Sequence, residues 1–312
     1  MKFTVATSTY NRIHTLPVVY QSLLEQTYRD FEWVIVDDGS TDDTKAVVDN
    51  WIASSPFLIR YFYQENQHKK VAFNKAVKEA NGELLLNWDS DDGAVPEALQ
   101  TFAEAWESIP KAERDSFVGV TCLCKRADGT TVGDEFPSDP FDSDTLESSY
   151  VMNIKGEKWG FQRRDVLQSF PFPDWVPGLV PEGYVWNQIA LEYKTRYINS
   201  KLRIYNHSSD SLTDALNQFD PSQILEGRIL YYRHFLDDIS PVLIRRGAPR
   251  RVIICAVQYG RLHLHSAKNG RSSSIRLKSV TSKMIVAAAF PMSFCLFLLD
   301  TVIAFRSSRN SK

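Results

Sequence analysis

The apolar run Leu84-Leu85-Leu86-Asn87-Trp88 stops in three acids, Asp89, Asp91 and Asp92, spaced by a single Ser. Carboxylates this close repel one another, and folding tolerates them best when a cation or a set of donors neutralises them. Mg²⁺ or Mn²⁺ would suit such a turn, since these hard ions are held by one or two carboxylates together with phosphate oxygens. The alternative is a solvated Asp-rich turn. A calcium loop is excluded, because an EF-hand register beginning at Asn87 puts Asp92 where Gly is obligatory and Ala98 where the bidentate Glu belongs. Acids recur at Asp37-Asp38 and at Glu182; taken alone, Glu182 reads as a helix-start acid favoured by the helix dipole.

These residues need a frame, and the first third of the chain supplies one by alternating strand and helix patterns. Phe3 to Thr7 reads as a strand, Leu16 to Thr27 as a helix with Pro17 near its start, and Trp33 to Val36 as a second strand. After the Asp37-Asp38-Gly39-Ser40 turn, Ser40 and Asp43 predict a capping-box start for a helix that turns Val47, Val48 and Trp51 inward. Leu58 to Tyr63 is a third strand, Lys70 to Ala80 a helix ended by Asn81-Gly82 as a left-handed cap, and Leu84 to Asn87 a fourth strand. A helix begins at Pro96. Such alternation with right-handed crossovers predicts an α/β fold, a mostly parallel sheet with helices on both faces. Thr9 to Arg12, Asp37-Asp38 and Asp89 to Asp92 then gather at the carboxyl edge, where open α/β sheets bind ligands. No G-x-G and no G-K-[ST] occurs, which excludes dinucleotide and P-loop binding and leaves phosphates to a metal rather than a glycine cradle.

Four motifs, Thr9-Tyr10-Asn11-Arg12, Val34 to Thr44, Asn66 to Asn74 and Asp89-Ser90-Asp91-Asp92, resemble in order and spacing the family 2 glycosyltransferases of the GT-A fold. Trp159 to Gln162 and Pro181 to Trp186 extend the resemblance more loosely. It implies that Asp38 accepts from the imide N–H of uracil, a donor cytosine lacks, with Thr9, Tyr10 and Arg12 lining the same nucleotide pocket. His68, Lys69 and Lys70 fall where the family often has a basic residue near base and diphosphate, although Gln67 and Ala76 stand where Gly is common. Asp91 matches the acid that binds Mn²⁺ or Mg²⁺, and Asp89 the one nearer the ribose. Glu182 matches the catalytic base of inverting members, with Gly183 where many carry a second acid. Trp159 and Trp186 are either sugar-ring platforms or core, and His207 either a diphosphate contact or structural. The implied reaction is inverting transfer of one sugar from a nucleotide sugar, most simply a UDP-sugar, to a glycan or lipid-linked saccharide. The Q-x-x-R-W pattern of processive synthases is absent. Two other readings are a non-catalytic nucleotide- or sugar-binding module and a sugar nucleotidyltransferase, whose Gly-rich amino-terminal loop is missing.

Residues 1–225 are expected to form the catalytic domain and 226–312 a basic helical region. From Pro241 onward 13 Lys and Arg face one acid, Asp300, so the remaining 23 basic and 37 acidic residues precede it. Ile285 to Leu299 is apolar but interrupted by Pro291 and followed by Asp300, which favours a helix lying on an anionic membrane surface over one that crosses it. A final core helix with a solvated basic tail is the other possibility. No interleaving of aromatic and basic residues supports nucleic acid as a partner. With 4 Cys, no C-x-x-C, and an amino terminus that runs straight into a strand, the chain is expected in the reducing cytoplasm, peripheral to the membrane.

Overall fold

The computed structural model describes residues 1–205, 221–270 and 273–310. The chain divides into two compact units, Met1–Asp174 with Ile189–Gln218, and Trp175–Gln188 with Phe219–Lys312.

In the first unit, β1 (Phe3–Thr9), β2 (Phe31–Asp37), β3 (Leu58–Tyr63) and β4 (Leu84–Asn87) pair in parallel in the order β3-β2-β1-β4. The connecting helices are α1 (Leu16–Glu25), α2 (Thr44–Ser54) and α3 (Lys69–Glu79). Every residue of β2 is buried, as the near-continuous apolar run of a strand covered on both faces requires. Tyr20 of α1 stacks on Trp51 of α2 at 4.4 Å and on Trp33 of β2 at 6.2 Å, which seals one face with aromatic area. Beyond β4 the sheet becomes mixed. β8 (Lys158–Arg163) runs antiparallel to both β4 and β6 (Phe117–Lys125), and β9 (Lys194–Ile204) runs parallel to β6. β5 (Gly93–Ala94) and β7 (Phe141–Ser143) add antiparallel to β9. Helices α4 (Ala98–Glu107) and α5 (Arg164–Ser169) complete the layers.

Two local expectations change. Ser40 does not cap α2; its Oγ accepts the Asn11 N–H at 2.9 Å, and Asp42 Oδ1 instead takes the Thr44 N–H at 3.2 Å and its hydroxyl at 2.5 Å. Gly82 is not a left-handed cap: its N–H donates to Thr4 Oγ1 at 2.8 Å, and a Cβ there would collide with the Thr4 backbone. Close approach of two backbones, not φ, is what this Gly permits. Trp159 belongs to the core, 4% exposed, with its indole N–H on the Asn87 carbonyl at 2.8 Å.

The second unit is helical: α6 (Gly183–Ile189), α7 (Pro221–His234), a π-helical turn Phe235–Ile239, α8 (Ser240–Arg245), α9 (Pro249–Lys268) and α10 (Val280–Asn310). Val176 and Val180 pack on Leu230 of α7, where Gly227 leaves no side chain between the helix and the Leu179 carbonyl. The C-terminal apolar run is longer and more regular than its sequence suggested. Pro291 lies inside α10 without ending it, and Val280–Val302, 23 residues, is long and apolar enough to cross a membrane. Asp300 is no isolated charge either. Its carboxylate accepts from Arg261 Nε at 2.6 Å and Nη2 at 2.5 Å and meets His265 Nε2 at 2.7 Å.

Candidate functional site

The parallel register sets Thr9 beside Asp37 and Asp37 beside Tyr63, so the loops after β1, β2 and β3 leave the sheet together. Hydrogen bonds then tie the loops to one another. Asn11, at φ +51°, accepts the Thr41 N–H on Oδ1 at 2.7 Å, a left-handed position that Asn tolerates. Gly39, at φ +93°, lies against Asn66, whose backbone N would be 2.9 Å from any added Cβ.

The two adjacent acids have different tasks. Asp37 accepts the Ser40 N–H on Oδ1 at 2.7 Å and the Tyr61 hydroxyl on Oδ2 at 2.5 Å, so both oxygens serve the fold. Burial and this hydrogen bond push the Tyr61 pKa far up. Asp38, 4% exposed, accepts Gln64 Nε2 at 2.7 Å and the Gln67 N–H at 2.9 Å, both on Oδ1. Its Oδ2 takes no hydrogen bond from the described residues, so the carboxylate is oriented while one oxygen keeps its accepting capacity.

At the end of β4 the acids already have cations. Lys69 Nζ donates to Asp89 Oδ1 at 2.8 Å, and Arg203 Nη2 to Asp89 Oδ2 at 2.9 Å. Arg203 also donates to Asp92 Oδ2 through Nε at 2.8 Å and through Nη2, and its Nη1 lies 3.6 Å from Glu157. Burial alone would raise the Asp89 pKa, but the charges and hydrogen bonds of Lys69 and Arg203 outweigh it and hold the carboxyl well below the usual range. Asp92, 1% exposed, also accepts the Trp88 indole N–H on its backbone carbonyl at 2.9 Å. Asp91 remains partly accessible, with Arg12 Nη1 3.6 Å from its Oδ2.

Of the residues singled out by sequence, Thr9, Tyr10, Arg12, Asp38, Lys69, Asp89 and Asp91 come to this edge. Tyr10 is 49% exposed there, whereas Thr9 is buried and its hydroxyl has no hydrogen-bond partner among the described residues. Lys70 differs from Lys69. It is 6% exposed, and burial lowers its pKa against the opposing pull of Asp174. Glu182 lies in the second unit, exposed, just before α6, where its carbonyl accepts the N–H groups of Val185 at 3.0 Å and Trp186 at 3.2 Å. His207 lies outside the described residues. Sequence reasoning assigned nothing to Arg203, Gln64 or Tyr61; an Arg alternating with apolar residues in Lys201-Leu202-Arg203-Ile204 was the one available signal.

The donor set limits what metal this edge can hold. No group of three or more His, Cys, Asp or Glu among the described residues is arranged to bind an ion. Asp89 and Asp92 are committed to Arg203, which leaves Asp91 as the acid suited to an ion whose remaining ligands are phosphate oxygens and water.

Comparison with known proteins agrees with this architecture. The Glycosyl transferase family 2 model matches residues 4–166, just over half of the chain. An uncharacterised glycosyltransferase of Nostoc sp. is 34% identical over 55% of this chain, which spans only 54% of that protein's length. The Campylobacter jejuni GalNAc(5)-diNAcBac-PP-undecaprenol beta-1,3-glucosyltransferase is 28% identical, over 68% of this chain and 67% of its own. Among solved structures, S. aureus TarS residues 1–349 in complex with UDP-GlcNAc aligns with TM-score 0.63 at 18% identity, covering 90% of this chain and 98% of that one. The mannosyltransferase PcManGT from Pyrobaculum calidifontis, in complex with GDP-Man and Mn²⁺, aligns with TM-score 0.56, covering 96% and 87% of the two chains. At these identities the structural likeness establishes the GT-A fold alone, and the family match supplies the rest: the chain belongs to glycosyltransferase family 2.

Proposed function

We propose that this glycosyltransferase moves a single sugar from a UDP-sugar to a glycan or lipid-linked saccharide acceptor, with inversion at the anomeric carbon. The observation that carries the reading is Asp38, locked through one oxygen by Gln64 and Gln67 while the other keeps its capacity to accept. That is what recognition of the uracil imide N–H asks of a carboxylate. UDP-GlcNAc in the complex of the TarS neighbour supports the nucleotide, and the undecaprenol-linked acceptor in the name of the Campylobacter relative supports the acceptor class.

Thr9, Tyr10 and Arg12 flank the base and ribose in this reading, and Lys69 and Asp89 lie on the sugar-phosphate side. Asp91 is the residue that would hold Mn²⁺ or Mg²⁺, which when bound neutralises charge on the departing diphosphate. Three acids at the turn, Asp89, Asp91 and Asp92, face three cations, Lys69, Arg203 and Arg12. Charge there is close to balanced before any donor arrives, so a metal is required mainly by the phosphates and should bind together with them. Lys70, being buried, serves α3 packing beside this pocket more than the phosphates themselves. Glu182 takes the proton of the acceptor hydroxyl as it attacks C1, so that the alkoxide is never formed free.

Four experiments test these roles. A screen of nucleotide-sugar donors with Mn²⁺, read by mass spectrometry for nucleoside diphosphate release and product, should single out a UDP-sugar; absence of product with every donor would leave only a binding module. In calorimetry, Asp38→Asn should weaken UDP roughly tenfold and CDP little, and equal losses for both would remove Asp38 from base recognition. Mn²⁺ should tighten UDP binding to the wild type and leave Asp91→Asn unaffected, whereas an undiminished metal effect in the variant would exclude Asp91 as ligand. Glu182→Gln should retain donor binding and lose transfer by about 10² to 10⁴; near-normal transfer rules it out as the base.

A pH titration tests Arg203. Because the folded pKa of Asp89 is depressed, its contribution to stability is complete above the ordinary carboxylate value, near 4, and fades only as pH falls below that value through the folded one. Arg203→Met removes one of its two cations and the guanidinium that Asp92 shares, so the unfolding free energy from urea titration should fall by about 3 to 5 kcal/mol at neutral pH and the acid decline should begin at higher pH. Arg203→Lys should recover part of both, and superimposable curves for wild type and Arg203→Met would contradict this account.

A further inference from the structure

Helix α10 is built inside out for a helix in water. The stripe it turns toward its own unit includes its polar groups: Ser282 at 1% exposed, Ser293 at 0%, and the paired Asp300. The face it turns away carries Val280, Met284, Phe290, Met292, Phe294, Leu298, Leu299 and Val302, each 42% to 71% exposed. Only 6% of its most apolar window is buried, so it is no core helix. A surface helix in water places its apolar stripe inward and its polar face out; this arrangement is reversed.

Each inward polar group is satisfied within the protein. Ser282 Oγ donates to the Leu236 carbonyl at 2.9 Å and Ser293 Oγ to the Val257 carbonyl at 3.0 Å. Gly260 of α9 leaves room for Ser293, whose Oγ would lie 2.6 Å from a Cβ there. Small residues at the helix contact, internally paired hydroxyls and a neutralised acid are what hydrocarbon surroundings demand of a helix. Between Val280 and Val302 the outward side offers one charge, Lys283, near its start.

Length permits crossing, but the partner helix argues against it. α9 packs along the inward stripe and carries Arg250, Arg251, Arg261 and Lys268, which could not follow α10 into a bilayer core without several costly burials. They suit the phosphate level of a leaflet, where a basic flank gains from anionic lipid. We propose that α10 lies in the plane of an anionic lipid leaflet, its outward face sunk among the acyl chains and α9 on the water side. The occupant of the exposed face is lipid rather than a second copy of this chain. The excess of 13 basic residues over one acid beyond Pro241 complements anionic headgroups and would repel itself across a symmetric dimer.

The chain carries its own probe. Cys295 is exposed on the outward face, whereas Cys122, Cys124 and Cys255 are buried. Full-length protein labelled there with a polarity-sensitive maleimide is mixed with vesicles of phosphatidylcholine, alone or with one quarter phosphatidylglycerol. The label should shift to the blue with the anionic vesicles, be shielded from iodide, and be quenched more by lipids brominated near the headgroup than near the chain ends. Stronger quenching from the chain ends would establish a crossing helix instead, and continued iodide access would overturn lipid insertion. A blue shift that grows with protein concentration without vesicles would assign the face to self-association. Leu298→Glu with Leu299→Glu, both at exposed positions, should keep the thermal unfolding midpoint and lose vesicle flotation at least tenfold; flotation retained in that variant also overturns the proposal. None of these readouts involves a sugar donor, so the outcome is independent of the catalytic reading.

Discussion

Arg203, 5% exposed on β9, donates to Asp89 at 2.9 Å and to Asp92 at 2.8 Å, and without it two carboxylates three residues apart would confront each other at the sheet edge. Its position follows from pairing: β5 begins directly after the acidic turn, and its Ala94 lies opposite Arg203 in the β5–β9 ladder. The strand that follows the acids therefore brings their counter-ion to them. A guanidinium suits the task better than an ammonium would, since a planar fork reaches two separate carboxylates while staying charged in a buried place. The cost of burying it is offset only because both acids are present, which makes the turn and the strand interdependent.

The same edge shows how a local motif is divided between fold and chemistry. Asp37 and Asp38 are adjacent and both buried, yet the strand alternation sends them to different partners. Asp37 faces β3 and the turn, where Tyr61 and Ser40 use both its oxygens; Asp38 follows the strand end and is held on one side only. An open oxygen on a rigidly held carboxylate is a better recognition element than a mobile one, because the ordering has been completed by folding.

Most of the first unit was legible in sequence because its signals are local. Apolar runs of four to seven residues with helical periods between them have few solutions, and β3 runs from Leu58 to Tyr63 as its pattern predicts. What was hidden depends on partners far away in the chain. Arg203 lies 111 residues from Asp92, and the mixed half of the sheet rests on pairings that no period encodes. Gly82 looked like a helix cap because Asn81-Gly82 follows a helix, but the demand on it comes from the Thr4 backbone across the sheet. Ser40 was diverted from capping by Asn11, again a long-range competitor. The apolar content of α10 was plain; which way its face points was not, because that depends on where Leu236, Val257 and Arg261 place their acceptors and charge.

On the proposed placement of α10, two solvents account for opposite rules within one chain. In the first unit, buried polar groups are exceptions that must be matched one by one, as Asp92 is by Arg203, while apolar faces close on each other. In α10 the polar groups are matched with the same care, Asp300 by Arg261 and His265, but they line the contact between helices while the apolar side is left open. Matching of buried polar groups is the rule in both units, with exceptions such as the Thr9 hydroxyl, and it is chiefly the destination of the apolar surface that differs. Exchanging Ser293 and Phe294 would not bury the ring, because the contact with Gly260 has room for little more than a hydroxymethyl group and a larger side chain would overpack it. The order found, Ser inward and Phe outward, follows from that close helix contact, and the proposed lipid leaflet would give the outward ring an apolar medium.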